Sequence, residues 1–517
     1  MKRNLLFVSL LAAGLISVGP ALAQDQTIKL TTAKTVGETV TLQVNQVKNG
    51  VTVDWGDGNP VSYTTTADDM LTLTGTLKGS IVTLTAGKRL NTLVCEGNEL
   101  TAIDLSQATE LLSLYCQNNK LTSLDLTGLT QLADLNCANN QLTTLVLSEK
   151  NLPALQNLNI ANNQLKTNST STSSSTFVLR LADLQHLDIS GNKFGTMNLT
   201  SNTQLDMLNC ADNALTNKLN LAMNDSIAVV MAQNNQLQTF ALPTKGATRL
   251  RKVLVDNNKL ASIDLQSSAA LHTLTCSNNE LWQVVLPTAT TLDIMACGGN
   301  KLSFSSLPSA AHKPTHISYT PQDENLDITA YLKSDDKGYY VQQCPEWASR
   351  LKSDYQLNLH DFALDPDGKR TITITWYGRS GEDEVHAMTK ASAANTSGDV
   401  FATTSNSTYG TYSFMNPFDE AYCTLTCTTY PDLEFKSTSF RVKGSNDGIG
   451  QAAITSSGLH VEAHQGMLIL TSSSDTTAKV YSASGKLVWQ GTVLAGTPAQ
   501  VQLPAGVYVA GGQKVVL

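Results

Sequence analysis

His460, Glu462 and His464 alternate along one short stretch, so a β-strand would present two imidazoles and a carboxylate on one face, ligand types that zinc accepts. A closed zinc site needs a fourth ligand, and none is near in sequence, so no metal centre is expected there. Asp54 and Asp57 bracket Gly56 and could offer oxygens to calcium. A calcium cage takes about six or more oxygens, and a tight turn accounts for the same residues. Asp365-Pro366-Asp367-Gly368 is also turn chemistry, because it lacks the downstream Glu of a calcium loop. Glu382, Asp383 and Glu384 follow Gly381 at an expected hairpin tip, where charges are solvated. His312 and His316 flank a proline in a loop. There is no HExxH, G-x-S-x-G or Walker A phrase, and no paired-carboxylate signature of a glycosidase. The expectation is a protein with no catalytic residues, no metal and no cofactor.

The cysteines lead to the elements instead. Six of the nine (Cys95, Cys116, Cys137, Cys210, Cys276 and Cys297) fall at one place in a repeated phrase. Ten asparagines mark the same phrase: Asn98, Asn119, Asn140, Asn163, Asn192, Asn213, Asn235, Asn258, Asn279 and Asn300. Repeats start at Leu90, Leu111, Leu132, Leu155, Leu184, Leu205, Ile227, Leu250, Leu271 and Leu292, here coils 1 to 10. Most steps are 21 to 23 residues, and the longer step after Leu155 holds a Ser/Thr-rich run, Lys166 to Thr176, that reads as a surface loop. A period near twenty is that of a leucine-rich-repeat solenoid.

In L-x-x-L-x-C the inward Leu and Cys alternate with outward residues, which predicts a short strand in each coil. Successive coils then pair as parallel strands about 4.8 Å apart. The Asn follows where the chain turns, and its amide can satisfy buried backbone groups, so the ten asparagines are expected as a structural ladder. The later L-T-x-L-D-L supplies a second inward strip, extended or in short turns. Cysteine alternates at its place with Ile, Ala and Val and is expected as a compact buried hydrophobe. Side chains on in-register parallel strands point the same way, a poor geometry for disulfides, so free thiols are expected.

What differs from coil to coil is the outward set. Tyr115, Gln117, Asn136, Asn159, Asp188 and Asn209 are polar, while Met207, Val229, Met231 and Leu254 form an apolar patch; these ten are the candidate ligand-binding residues of the concave face. Asp134, Asn157, His186, Lys252 and Asp256 are expected outward beside them. Clustered apolar side chains on such a wall favour protein contact. Tyr115 is the one aromatic platform there that a sugar would use.

The phrase L-x-x-L-x-C-x-x-N-x-L-T-x-L-D-L-S over residues 90–302 resembles the cysteine-ladder repeats of internalin J and its relatives. The resemblance implies a bacterial surface adhesin, with host attachment or biofilm formation as its role. The chain departs from that pattern in lacking a helical N-terminal cap and a cell-wall sorting signal.

The flanks read as β modules. Lys2 and Arg3, the apolar run Leu5 to Val18, and Ala21-Leu22-Ala23 make residues 1–23 an expected secretory signal peptide. Residues 24–89 alternate as strands and are expected to cap the first repeat; VTVDWGDG resembles polycystic-kidney-disease modules. Residues 303–443 carry a Trp strand (Thr371 to Tyr377) and a Tyr-Cys strand (Ala421 to Cys427), suggesting an immunoglobulin-like sandwich; Cys344 could bridge Cys423 or Cys427, or none may pair. Residues 444–450 read as a linker. In residues 451–517, Val480 to Val488, Leu503 to Val509 and Lys514 to Leu517 resemble the C-terminal sorting domain of type IX secretion substrates in Bacteroidetes. That resemblance implies the type IX machinery as a partner and display at the outer surface. A net charge of −8 gives no reason to expect nucleic acid, and no second apolar run is long enough for a transmembrane helix. The expected fold class is mainly β: about ten solenoid coils flanked by β-sandwich modules.

Overall fold

The structure, a computed structural model, describes residues 26–45, 50–64, 70–86, 90–166, 176–243, 247–288, 291–323, 325–365, 367–405, 407–444, 459–464, 467–482, 486–504, 507–510 and 513–516. The expected signal peptide, most of the Ser/Thr run and the linker beyond Gly444 lie outside these residues. The chain divides into two compact units, residues 1–300 with 312–319, and residues 301–311 with 320–517.

The first unit follows from the repeat. Each coil contributes a three-residue strand, from Thr92–Val94 in coil 1 to Ile294–Ala296 in coil 10, with His316–Ser318 added after it. Neighbouring coils pair in parallel without a register shift. The middle position runs Leu93, Leu114, Leu135, Leu158, Leu187, Leu208, Val230, Val253, Leu274 and Met295, and every one is buried. A one-residue slip would turn that whole column outward, so burial itself enforces the register. The opposite wall is made of short parallel pairs such as Ser262–Asp264 with Gln283–Val285.

The asparagine ladder closes each bend. Asn119 Nδ2 donates to Cys95 O and Cys116 O, both at 3.0 Å, and to Gln117 O at 3.3 Å. Its Oδ1 accepts from Asn98 N at 3.1 Å and Leu100 N at 2.9 Å. One amide thus satisfies buried backbone groups in its own coil and the coil before, and Asn140, Asn163, Asn258 and Asn279 repeat the pattern. In the second unit Gln322 Oε1 accepts from Leu302 N at 3.1 Å, the contact a ladder asparagine makes.

The N-terminal module continues the sheets of the repeats. Strand Thr39–Val44 pairs antiparallel with Thr92–Val94, and Gln26–Thr32 pairs antiparallel with Leu100–Asp104. Asn98 closes the joint: its amide bonds both Thr41 N (3.1 Å) and Thr41 O (2.8 Å). The module therefore covers both walls of coil 1 by continuing their sheets. Asp54 Oδ1 accepts from Gly56 N, Asp57 N and Gly58 N, and Asp57 pairs with Lys78 at 2.6 Å, so these carboxylates serve a turn.

In the second unit, strand Ile372–Arg379 pairs antiparallel with Phe418–Cys427, which places Trp376 opposite Cys423. Trp376 meets Tyr412, Phe414 and Phe440 edge-on at 5.0, 4.9 and 5.9 Å between centroids. The sheet is mixed, because Gly338–Gln342 runs parallel to Phe440–Lys443. Cys344 packs elsewhere, with Ala391 and Met415, and Cys344, Cys423 and Cys427 are all free. The last module has two antiparallel sheets around Val461, Leu468, Leu470, Val480 and Val501. Tyr508 there donates its hydroxyl to Pro504 O at 2.8 Å. Among the described residues no helix is long and apolar enough to cross a membrane.

Candidate interaction surface

The parallel strands of coils 1 to 10 make one wall with two outward columns. The first column reads Thr92, Ser113, Asp134, Asn157, His186, Met207, Val229, Lys252, Thr273 and Ile294; the second reads Val94, Tyr115, Asn136, Asn159, Asp188, Asn209, Met231, Leu254, Thr275 and Ala296. All ten candidate residues are half-buried, and all lie in these columns except Gln117, two residues beyond Tyr115. They are therefore brought together on one face.

Asp134 lies in the outward column, as expected, yet it is only 4% exposed. Ser113 Oγ donates to its Oδ2 at 3.0 Å and Asn157 Nδ2 to its Oδ1 at 2.5 Å. A carboxylate only accepts, so the Asn157 amide must turn its NH2 toward Asp134 and its Oδ1 toward the next coil. That Oδ1 lies 2.5 Å from His186 Nδ1, which must then be the donor. His186 Nε2 lies 3.9 Å from Asp206 Oδ2, and Arg249 reaches Asp206 Oδ1 at 3.4 Å. The first column is a directed polar chain over coils 2 to 5, and it gives way to Met207 in coil 6.

The second column is also partly committed. Asn136 Oδ1 accepts from Ala138 N (3.1 Å) and Asn159 Oδ1 from Ala161 N (3.0 Å). Asp188 Oδ1 accepts from Ser190 N (2.9 Å) and Ser190 Oγ (2.6 Å), and its Oδ2 accepts from Asn209 Nδ2 (3.0 Å). Gln117 donates to Glu96. Burial beside Asp134 raises the Tyr115 phenol above its ordinary pKa. In coils 7 and 8 the same column holds Met231 and Leu254, which have no polar group to tie back. Met207 and Val229 are register partners, as are Met231 and Leu254, so the four form one patch across three coils.

Two features escaped the sequence. The residue before each ladder asparagine has positive φ, as in Asn118 (59°), Asn139 (55°), Asn162 (52°), Asn234 (57°), Asn257 (55°) and Asn278 (56°). These amides are exposed and bond each other: Asn139 to Asn118 at 2.9 Å, Asn162 to Asn139 at 2.8 Å, and Asn278 to Asn257 at 2.8 Å. Gly191 takes that place in coil 5, where a Cβ would lie 2.2 Å from Asn162 Oδ1. The Asn-Asn dipeptides were the available signal. The second feature is Trp282, 59% exposed on the flank of coil 9.

His460 Nε2 and Glu462 Oε1 meet at 2.6 Å, exposed, and among the described residues no three His, Cys, Asp or Glu side chains gather as metal ligands. The ladder cysteines are buried, and burial pushes the Cys137 and Cys297 thiols up to about 12. Such thiols are inert as nucleophiles.

No protein-family model matches the chain, and no curated protein matches it. Among solved structures it is similar to the functional domain of InlJ from Listeria monocytogenes, described as including a cysteine ladder, at 20% identity over 68% of this chain and 90% of that one, TM-score 0.33. It is also similar to YopM, a leucine-rich effector from Yersinia pestis, at 22% identity over 44% of this chain and 66% of that one, TM-score 0.36. A leucine-rich-repeat protein of Leptospira interrogans matches at 19% identity over 43% and 67%, TM-score 0.31. The fold assignment rests on this chain's own repeat length, parallel register and asparagine ladder, which make residues 90–300 a leucine-rich-repeat solenoid.

Proposed function

We propose that the chain is a secreted cell-surface protein that binds a protein or glycoprotein of a host or neighbouring cell through its strand wall. The observation that carries this is the contiguous patch of Met207, Val229, Met231 and Leu254. The polar residues of coils 2 to 6 bond each other or their own backbone, whereas these four apolar side chains sit half-buried side by side in coils 6 to 8. Water is their poorest neighbour and an apolar partner surface their best. Attachment or biofilm formation is the setting that suits such a face on a displayed protein.

The test is adherence of the full chain and of its Met231→Ser/Leu254→Ser variant to host cells, matrix proteins and sister cells. Capture by the wild type and loss in the variant is expected; equal capture would remove the wall from the mechanism. For display we propose the signal peptide and the C-terminal module as a type IX export pair. Deleting residues 503–517 should then hold the protein in the periplasm, and surface arrival of the truncated form would refute that route.

A glycan-binding role is the second reading, favoured by Trp282 at 59% exposure and by half-buried Tyr115. Glycan-array binding lost in Trp282→Ala or Tyr115→Ala would establish it.

A further inference from the structure

The apolar patch lies at the end of an acidic stretch of the wall. The wall segment of each coil can be taken as the residue before the strand through the residue before the ladder asparagine. Across the ten segments the half-buried or exposed carboxylates are Glu96, Asp188, Asp206, Asp212, Asp256 and Asp293, against Arg251 and Lys252 as the only Lys or Arg. The two cations sit together in coil 8. Coils 1 to 6 hold four of those acids and no Lys or Arg in these segments. Asp206 is beside Met207 in the chain, and Asp188 lies one coil before it.

These carboxylates are held in place. Asp188 is fixed by Ser190 and Asn209, and Asp206 is flanked by Arg249 at 3.4 Å and His186 at 3.9 Å. A partner cation meeting them would not have to order them first, which removes part of the cost of binding. Arg249 offsets some of the field at Asp206, so Asp188 and Asp212 carry more of the attraction. Lys252 neighbours Val229 and marks where the acidic stretch stops.

We propose that the partner is a cationic polypeptide that lays apolar side chains on Met207, Val229, Met231 and Leu254 and directs lysines or arginines over coils 5 and 6. The inference rests on the protein-binding reading above and adds the partner's chemistry. Apolar contact supplies the affinity, and the carboxylates supply orientation and speed of encounter. An acidic partner would meet like charges over coils 5 and 6, and a neutral glycan would leave the patch uncovered.

The test uses the full chain and three synthetic peptides of about twelve residues, alternating Lys with Leu, Glu with Leu, and Lys with Ser. The Lys–Leu peptide should bind best. Its affinity should fall about tenfold in Met231→Ser/Leu254→Ser, and about tenfold when salt rises from about 50 to about 300 mM. Equal binding of the Glu–Leu peptide, or a Lys–Leu affinity unchanged by both salt and the patch variant, would overturn the inference. A natural partner that contacts the patch with an acidic or neutral surface would overturn it too, while leaving the protein-binding reading standing. That reading fails separately, if the patch variant adheres to cells as well as the wild type.

Discussion

Asn118 and Asn119 are neighbours in the chain with opposite tasks. Asn119 is buried and its amide satisfies backbone groups of two coils; Asn118 is exposed, has a φ of 59°, and accepts a hydrogen bond from Asn139 in the next coil. The inner column is forced by the cost of leaving backbone N–H and C=O groups dry and unpaired. The outer column answers a conformational demand, since asparagine and glycine enter the left-handed region more easily than other residues. The same residue type recurs for two unrelated structural reasons. A third set, the strand wall between them, is where the coils differ.

Substitution should separate the two columns. Asn140→Ala leaves Leu121 N without its acceptor and removes one of two donors from each of Cys116 O, Cys137 O and Ala138 O, and should cost about 2–3 kcal/mol in urea unfolding. A loss below about 1 kcal/mol would mean that water replaces the amide there. The buried thiols come next. Their folded pKa is raised above the ordinary value of 9.0, so the unfolded chain releases protons first as pH rises. Stability should be complete below pH 9 and fall between 9 and about 12, by up to about 1.4 kcal/mol per pH unit for each thiol. Replacing Cys137 with Ala should flatten that slope by one thiol's share, and an unchanged slope would show that the thiol is not protected.

The outer column should respond least. Asn139→Ala should cost about 1–2 kcal/mol, because alanine strains at a φ of 55° and the bridge to Asn118 is lost. Asn139→Gly should stay within roughly 0.5 kcal/mol, since glycine takes that conformation freely. If alanine and glycine cost the same, backbone conformation is not what selects the outer asparagines. Smaller still in energy is the tautomer of His186: nitrogen NMR should find the proton on Nδ1, and a proton on Nε2 alone would contradict the direction of the chain from Asp134.

Much of the solenoid was legible because its constraints repeat. Leu114, Cys116 and Asn119 recur with fixed spacing, so register, core and ladder followed from period and polarity. The burial of Asp134 was not legible because strand alternation gives only the side of a residue, whereas the covering comes from Ser113 and Asn157 in adjacent coils. The junction at Thr41 was hidden for a similar reason. Asn98 looks like any other ladder residue, and only the fold brings residue 41 beside it. The ten candidate residues were placed on one face, but alternation could not say which of them were already engaged. Asn136, Asn159 and Asp188 spend their oxygens on the backbone two residues ahead, and Met231 and Leu254 do not.

The claim at the centre is that the repeated columns hold the coils and the varying wall binds. Adherence of the full chain should be compared with that of Met231→Ser/Leu254→Ser after both are shown to unfold at the same urea concentration within about 1 kcal/mol. The account predicts equal stability and loss of most adherence; equal stability with unchanged adherence would contradict it.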